Sequence, residues 1–146
     1  MHRFMFVTVA LGVAVGGAGA QEPPGKIELL PGYKHEKLQG IDSIVGKIVS
    51  PKGLDILYEI GRVRQPGGLA LGGDFSDRAK GMPPPERRWY KEQRLAGQEV
   101  HLAYSKKDLL VVTYPAHGVL FSVTVRTPDE MAEALLMILS FRGNKE

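Results

Sequence analysis

Two kinds of periodicity divide this chain. Residues 44–50 (IVGKIVS) and 54–60 (LDILYEI) are rich in β-branched and large apolar side chains and flank the turn-forming Pro51-Lys52-Gly53, which predicts a β-hairpin. Ahead of them, residues 26–30 form a short apolar–polar stretch that Pro31-Gly32 ends. From Trp89 the pattern becomes regular: residues 89–95, 99–104, 109–114 and 119–126 read as four strands. Their connections, Ala96-Gly97-Gln98, residues 105–108 and residues 115–118, are too short for crossovers, so the four strands are expected to run as an antiparallel meander. The pattern then changes to a helical one. Thr127-Pro128-Asp129-Glu130 combines a capping threonine, a proline at the first helical position and acids at the positive end of the helix dipole. Glu130 stands three residues after Thr127, as a capping box requires. Met131, Ala134, Leu135, Ile138 and Leu139 then fall on one face, and Arg142-Gly143 supplies an ending.

Splitting each strand by alternation gives the layers. Val119, Phe121, Val123 and Val125 share one face of the last strand, and Val100, Leu102 and Tyr104 share one face of the second meander strand. These apolar faces should meet the C-terminal helix. The expected fold class is therefore α+β: an antiparallel sheet, made of the N-terminal hairpin plus the four-stranded meander, packed on a C-terminal helix. The other face is mixed. Residues 109–114 (LLVVTY) are apolar on both sides, which suggests a central strand and leaves open what covers the second face: the long loop, the N-terminal arm, a ligand or a partner.

The long loop is residues 62–88. It contains Pro66-Gly67-Gly68, Gly72-Gly73, Gly81 and Pro83-Pro84-Pro85, with few apolar residues at any period. So long a stretch without regular structure is a functional loop or a disordered insertion.

Composition changes the picture mainly at the N-terminus. Met1-His2-Arg3 is a short basic start, residues 4–15 (FMFVTVALGVAV) are continuously apolar, and Ala18-Gly19-Ala20 is a small-x-small site. A membrane-spanning helix needs about 20 apolar residues, more than this run supplies. Residues 1–20 are expected to be a signal peptide cleaved between Ala20 and Gln21, with residues 21–146 forming a single domain of exported, periplasmic or extracellular, location and no later membrane span. Losing the leader leaves 18 of the 19 basic residues against 16 acidic ones. That near balance gives no footprint for nucleic acid. The absence of cysteine removes disulfides, thiol nucleophiles and cysteine-ligated metals.

Candidate chemistry is sparse. His35, His101 and His117 stand in no ligand spacing. His117 reads as a solvated turn residue, whereas His101 lies on the mixed face of a strand. Asp74 and Asp77 fail the alternate-acid pattern of a calcium loop, and the glycines of residues 67–73 are followed by no Gly-Lys-Ser/Thr. Neither a catalytic set, a cofactor nor a metal site is expected. The densest recognition chemistry is Arg87-Arg88-Trp89-Tyr90, two arginines beside the only tryptophan and a tyrosine, the residue types that dominate binding hot spots. With His101 these four residues are the candidate binding positions, set against a purely structural role in which Trp89 anchors its strand.

Residues 119–142 (VLFSVTVRTPDEMAEALLMILSFR), a last strand leading into a helix that closes on Ser140-Phe141, resemble the end of PsbP-like domains and small exported bacterial proteins. That resemblance implies an antiparallel sheet flanked by helices and a binding or assembly role rather than catalysis. The leading expectation is thus an exported binding or assembly module of the cell envelope, with an envelope protein or a small ligand as partner. The alternative is a small hydrolase-like exported enzyme using Asp42, Asp74 and His101 around a pocket; a purely structural envelope protein is a third reading. Mass measurement of the protein recovered from the exported fraction of expressing cells is expected to give a chain beginning at Gln21, and a chain retaining residues 1–20 would overturn the leader assignment.

Overall fold

The computed structural model describes residues 22–61, 63–64, 70–71, 75 and 77–143. The leader segment therefore lies outside the described residues. Seven antiparallel strands form the main sheet: β1 (Lys34–Leu38), β2 (Ile44–Val49), β3 (Asp55–Ile60), β6 (Arg87–Leu95), β7 (Gln98–Ser105), β8 (Leu109–Tyr114) and β9 (Val119–Thr124). Two short strands, β4 (Val63–Arg64) and β5 (Ala70–Leu71), pair separately within the long connection. The strand order is β1-β2-β3-β9-β8-β7-β6. Hairpin and meander are joined by β3 lying antiparallel to β9, with Tyr58 opposite Phe121 and Ile60 opposite Val119. This is the α+β arrangement the hydrophobic pattern predicts.

Two strands differ from the sequence reading. Residues 34–38 (KHEKL), which the hydrophobic pattern does not mark, form a strand and extend the hairpin to three strands. Charged, mostly exposed residues are what a sheet edge carries, and that chemistry hides the strand from a hydrophobic search. The first meander strand also begins at Arg87, two residues early.

The C-terminal helix α1 (Pro128–Ile138) starts as its sequence dictates. Thr127 Oγ1 accepts from the Glu130 amide at 3.2 Å, while the Glu130 carboxylate accepts from the Thr127 amide at 3.3 Å and the Arg126 amide at 2.7 Å. Ala134, Met137 and Ile138 are buried against the sheet, with Met131, Leu135 and Leu139 partly buried beside them. The helix ends at Ile138 with Leu139 as its cap, short of the expected Arg142-Gly143 ending, so that Phe141 can turn into the core. There it lies 4.7 Å from Tyr114 and 5.7 Å from Phe121, centroid to centroid. The Tyr114 hydroxyl donates to the Ile138 carbonyl at 2.9 Å, fixing the helix end to β8. Burial pushes this phenol up to about 12.

The N-terminal arm closes over the same aromatic group. Gly25 has φ +62°, and a Cβ there would collide with the Phe141 ring. The Arg142 amide donates to the Gly25 carbonyl at 2.9 Å, and the Glu28 amide donates to Ser140 Oγ at 2.8 Å. His117 is not a freely solvated turn residue: it is half-buried, edge-on to Phe141 at 5.6 Å.

The β6–β7 turn holds a local strain. Leu95 pairs with Gln98, leaving Ala96 (φ +49°) and Gly97 (φ +77°) as its two central residues, the type I′ pattern. Glycine adopts this conformation freely, but alanine does so at a cost of about 1 kcal/mol. Ala96→Asn is therefore expected to raise the unfolding free energy by roughly 0.5–1 kcal/mol in urea titration. A loss of stability would contradict the turn assignment.

Candidate functional site

The helix covers one face of the sheet. On the other, residues 77–86 lie across part of the meander as two hydrogen-bonded turns, with the Gly81 amide donating to the Asp77 carbonyl at 2.6 Å and the Glu86 amide to the Pro83 carbonyl at 2.9 Å. Fully buried Ala79 packs on Ala103 and Val111, with Met82, Tyr90, Leu109 and Leu120 around them. Lys80 reaches Glu92 on β6 at 3.7 Å, and the Lys106 amide donates to the Glu86 carbonyl at 2.8 Å. The question of what covers the second face is answered for these residues by the long loop's own C-terminal third.

The roof does not sit flush. Between it and the sheet is a cleft of about 520 Å³, floored by Leu109, Val111, Leu120 and Ser122 and walled by Arg78, Met82 and Pro83. Asp77 and Glu86 also line it, so its polar groups carry both signs. A smaller hollow of about 130 Å³ continues toward β2 and β3, lined by Val45, Leu57 and Glu59 and sharing Leu120 and Ser122 with the cleft. Leu57 is 45% exposed there. Across the sheet, Ser122 stands opposite Leu57 on one side and Val111 on the other, which makes it the midpoint of the combined trough.

The structure divides the recognition cluster expected from the sequence. A register shift between Arg87 and Trp89 leaves Arg88 as an extra residue in β6. Trp89 then points to the helix side, half-buried against the core and 5.8 Å from Tyr104. Arg88 lies with it, 5.4 Å from the Tyr104 ring and 3.0 Å from Asp108 Oδ1. Arg87 and Tyr90 belong to the roofed side: the Arg87 guanidinium lies 5.0 Å from the Tyr90 ring centroid, and that ring meets His101 edge-on at 6.2 Å. Burial, then donation to Glu92 Oε1 at 2.7 Å, pushes the Tyr90 phenol up to about 12. The same hydrogen bond holds the Glu92 carboxyl below its usual value.

His101 is deeper than its mixed-face position suggests, at 4% exposure. Its Nε2 lies 2.6 Å from Glu99 Oε1, while its Nδ1 has no hydrogen-bond partner. Directly opposite on β8, fully buried Thr113 also has an unpartnered Oγ1. Thr113 in turn faces Leu120 on β9, so this orphaned pair borders the cleft floor. Asp42 is exposed and precedes β2, four strands from β7, a separation on the order of 19 Å. Asp42 and His101 do not meet, and Asp74 lies outside the described residues. Among the described residues, no three His, Asp or Glu side chains gather as a metal-binding group, and no helix is long and apolar enough to cross a membrane.

One feature of the residue pattern points to this cleft. A strand apolar on both faces, residues 109–114, implies cover on both sides, but nothing in the Gly/Pro-rich loop marked Ala79 and Met82 as that cover. Comparison of the chain with family models, curated proteins and solved structures gives no match.

A buried hydroxyl without a partner costs about 1–3 kcal/mol. Thr113→Val keeps the shape and removes that cost, so it is expected to stabilise the fold by about 1 kcal/mol in chemical denaturation. A destabilised variant would show that the hydroxyl is hydrogen-bonded in solution.

Proposed function

We propose that this chain is an exported binding module whose ligand site is the cleft between residues 77–86 and the sheet. The observation that carries the proposal is the apolar floor of Leu109, Val111 and Leu120 under a rim of mixed charge, a combination suited to a small amphipathic molecule with an apolar body and an uncharged or zwitterionic head. The leader-like residues 1–20 support an exported setting, in the periplasm or outside the cell. The resemblance of residues 119–142 to PsbP-like domains supports binding or assembly in place of turnover.

A second reading, a hydrolase-like exported enzyme, draws on the Glu99–His101 contact at 2.6 Å, a carboxylate beside an imidazole. It needs a substrate at His101 Nδ1, where only 4% of the residue is exposed, and it therefore ranks below binding.

The test uses N-phenylnaphthylamine, an uncharged probe whose fluorescence rises in apolar surroundings. The wild-type protein is expected to bind it saturably. Ser122→Trp, which fills the middle of the trough, should weaken binding at least tenfold with the thermal transition retained. Leu136→Glu, on the distant surface of α1, should leave binding unchanged. Binding that survives Ser122→Trp, or is lost in Leu136→Glu, would overturn the assignment.

A further inference from the structure

The outer side of α1 is the second unpartnered surface, and it is independent of the cleft. A hollow of about 460 Å³ runs along it, lined by Ala132, Leu135, Leu136, Leu139 and Arg142. Leu136 is 64% exposed, a large apolar side chain at the centre of a helix face turned away from the core. The core-facing side accounts for Ala134, Met137 and Ile138 and covers part of Leu135 and Leu139, but leaves Leu136 uncovered.

The stripe is self-complementary. Taken about the point between Leu135 and Leu136, Ala132 is matched by Leu139, while Asp129 stands in the first helical turn and Arg142, beyond the helix, lays its guanidinium over the last turn. Laid antiparallel on a copy of itself, the face sets Leu136 against Leu135, small Ala132 against Leu139, and an acid at the helix start against a base at the helix end. Arg142 is held where this requires it: its Nη1 donates to the Leu139 carbonyl at 2.9 Å and the Phe141 carbonyl at 3.1 Å, which folds the cation over the end of the helix. The neighbouring polar groups are already engaged. Glu133 accepts from the Tyr33 hydroxyl, and Ser140 Oγ donates to the Met137 carbonyl at 2.6 Å.

We infer that the outer face of α1 docks on the same face of a second copy of this chain, in a twofold antiparallel pair with Asp129 opposite Arg142. An 11-residue helix is only about 16 Å long, so the pair buries less than a standard interface and dissociates on dilution. The dimer leaves the cleft open on the opposite side of each sheet.

Sedimentation velocity on the protein in the form that expressing cells accumulate is expected to show a monomer–dimer equilibrium between micromolar and sub-millimolar concentration. Leu136→Glu, at a position too exposed to harm the fold, should raise the dissociation constant at least tenfold. Asp129→Arg and Arg142→Glu should each raise it by about fivefold, the scale of one exposed ion pair acting twice across the axis. The double variant, with both charges exchanged, should return to within about threefold of wild type, with the helical circular-dichroism signal checked in each case. A monomer at every concentration, a dimer indifferent to Leu136→Glu, or a charge exchange without recovery would each overturn the proposed pairing.

Discussion

The architecture depends on one long-range ladder, the pairing of β3 with β9. It joins Leu57–Ile60 to Val119–Ser122 across a connection of nearly sixty residues, so its closure costs roughly 4 kcal/mol of chain entropy before any contact offsets it. The offset is aromatic and apolar. Tyr58 and Phe121 meet across the ladder at 6.4 Å, and Phe121 touches both Tyr114 and Phe141. Without that join, the hairpin and the meander would each expose a strand edge and half a core. With it, β9 becomes the centre of a seven-stranded sheet, and Leu120 and Ser122 come to lie in the middle of the second face.

Both ends of the described chain converge on this same aromatic group. The helix delivers Phe141, the N-terminal turn delivers a glycine small enough to lie against it, and two backbone-directed hydrogen bonds hold the ends in register. The helix side is thus closed tightly. The opposite side is closed by a turn-rich segment whose only fully buried apolar side chain among the described residues is Ala79, and a cleft remains beneath it.

How much of this was legible follows from where the physics is local. Capping at Thr127, the helical period after it, and the short meander turns are encoded within a few residues of where they act, and each was readable in the sequence. The β3–β9 ladder was not, because alternation defines a strand without naming its partner. Strand β1 was hidden by the charges that suit a sheet edge. His101 read only as a mixed-face residue because alternation assigns a face and says nothing of what lies over it. The Arg87–Tyr90 cluster failed differently: alternation alone sends Trp89 and Tyr90 to opposite sides, while the extra residue at Arg88 groups Arg87 with Tyr90 and Arg88 with Trp89, and a bulge leaves no signature in the residue types around it. Leu136 was visible as one leucine more than a single helix face needs, but only the three-dimensional arrangement shows that it has nothing to cover it.

The two outermost strands carry a further meaning. On β1, Lys34, Glu36 and Lys37 are exposed, and on β6, Arg88, Lys91, Glu92, Gln93 and Arg94 are exposed. A sheet bordered in this way offers poor purchase to an incoming extended peptide, since each added hydrogen bond would desolvate a neighbouring charge. Growth of the sheet by strand addition, whether into a filament or onto an unstructured target, is discouraged on both flanks. Association is channelled to surfaces perpendicular to the ladder, so whatever this molecule meets, it meets broadside.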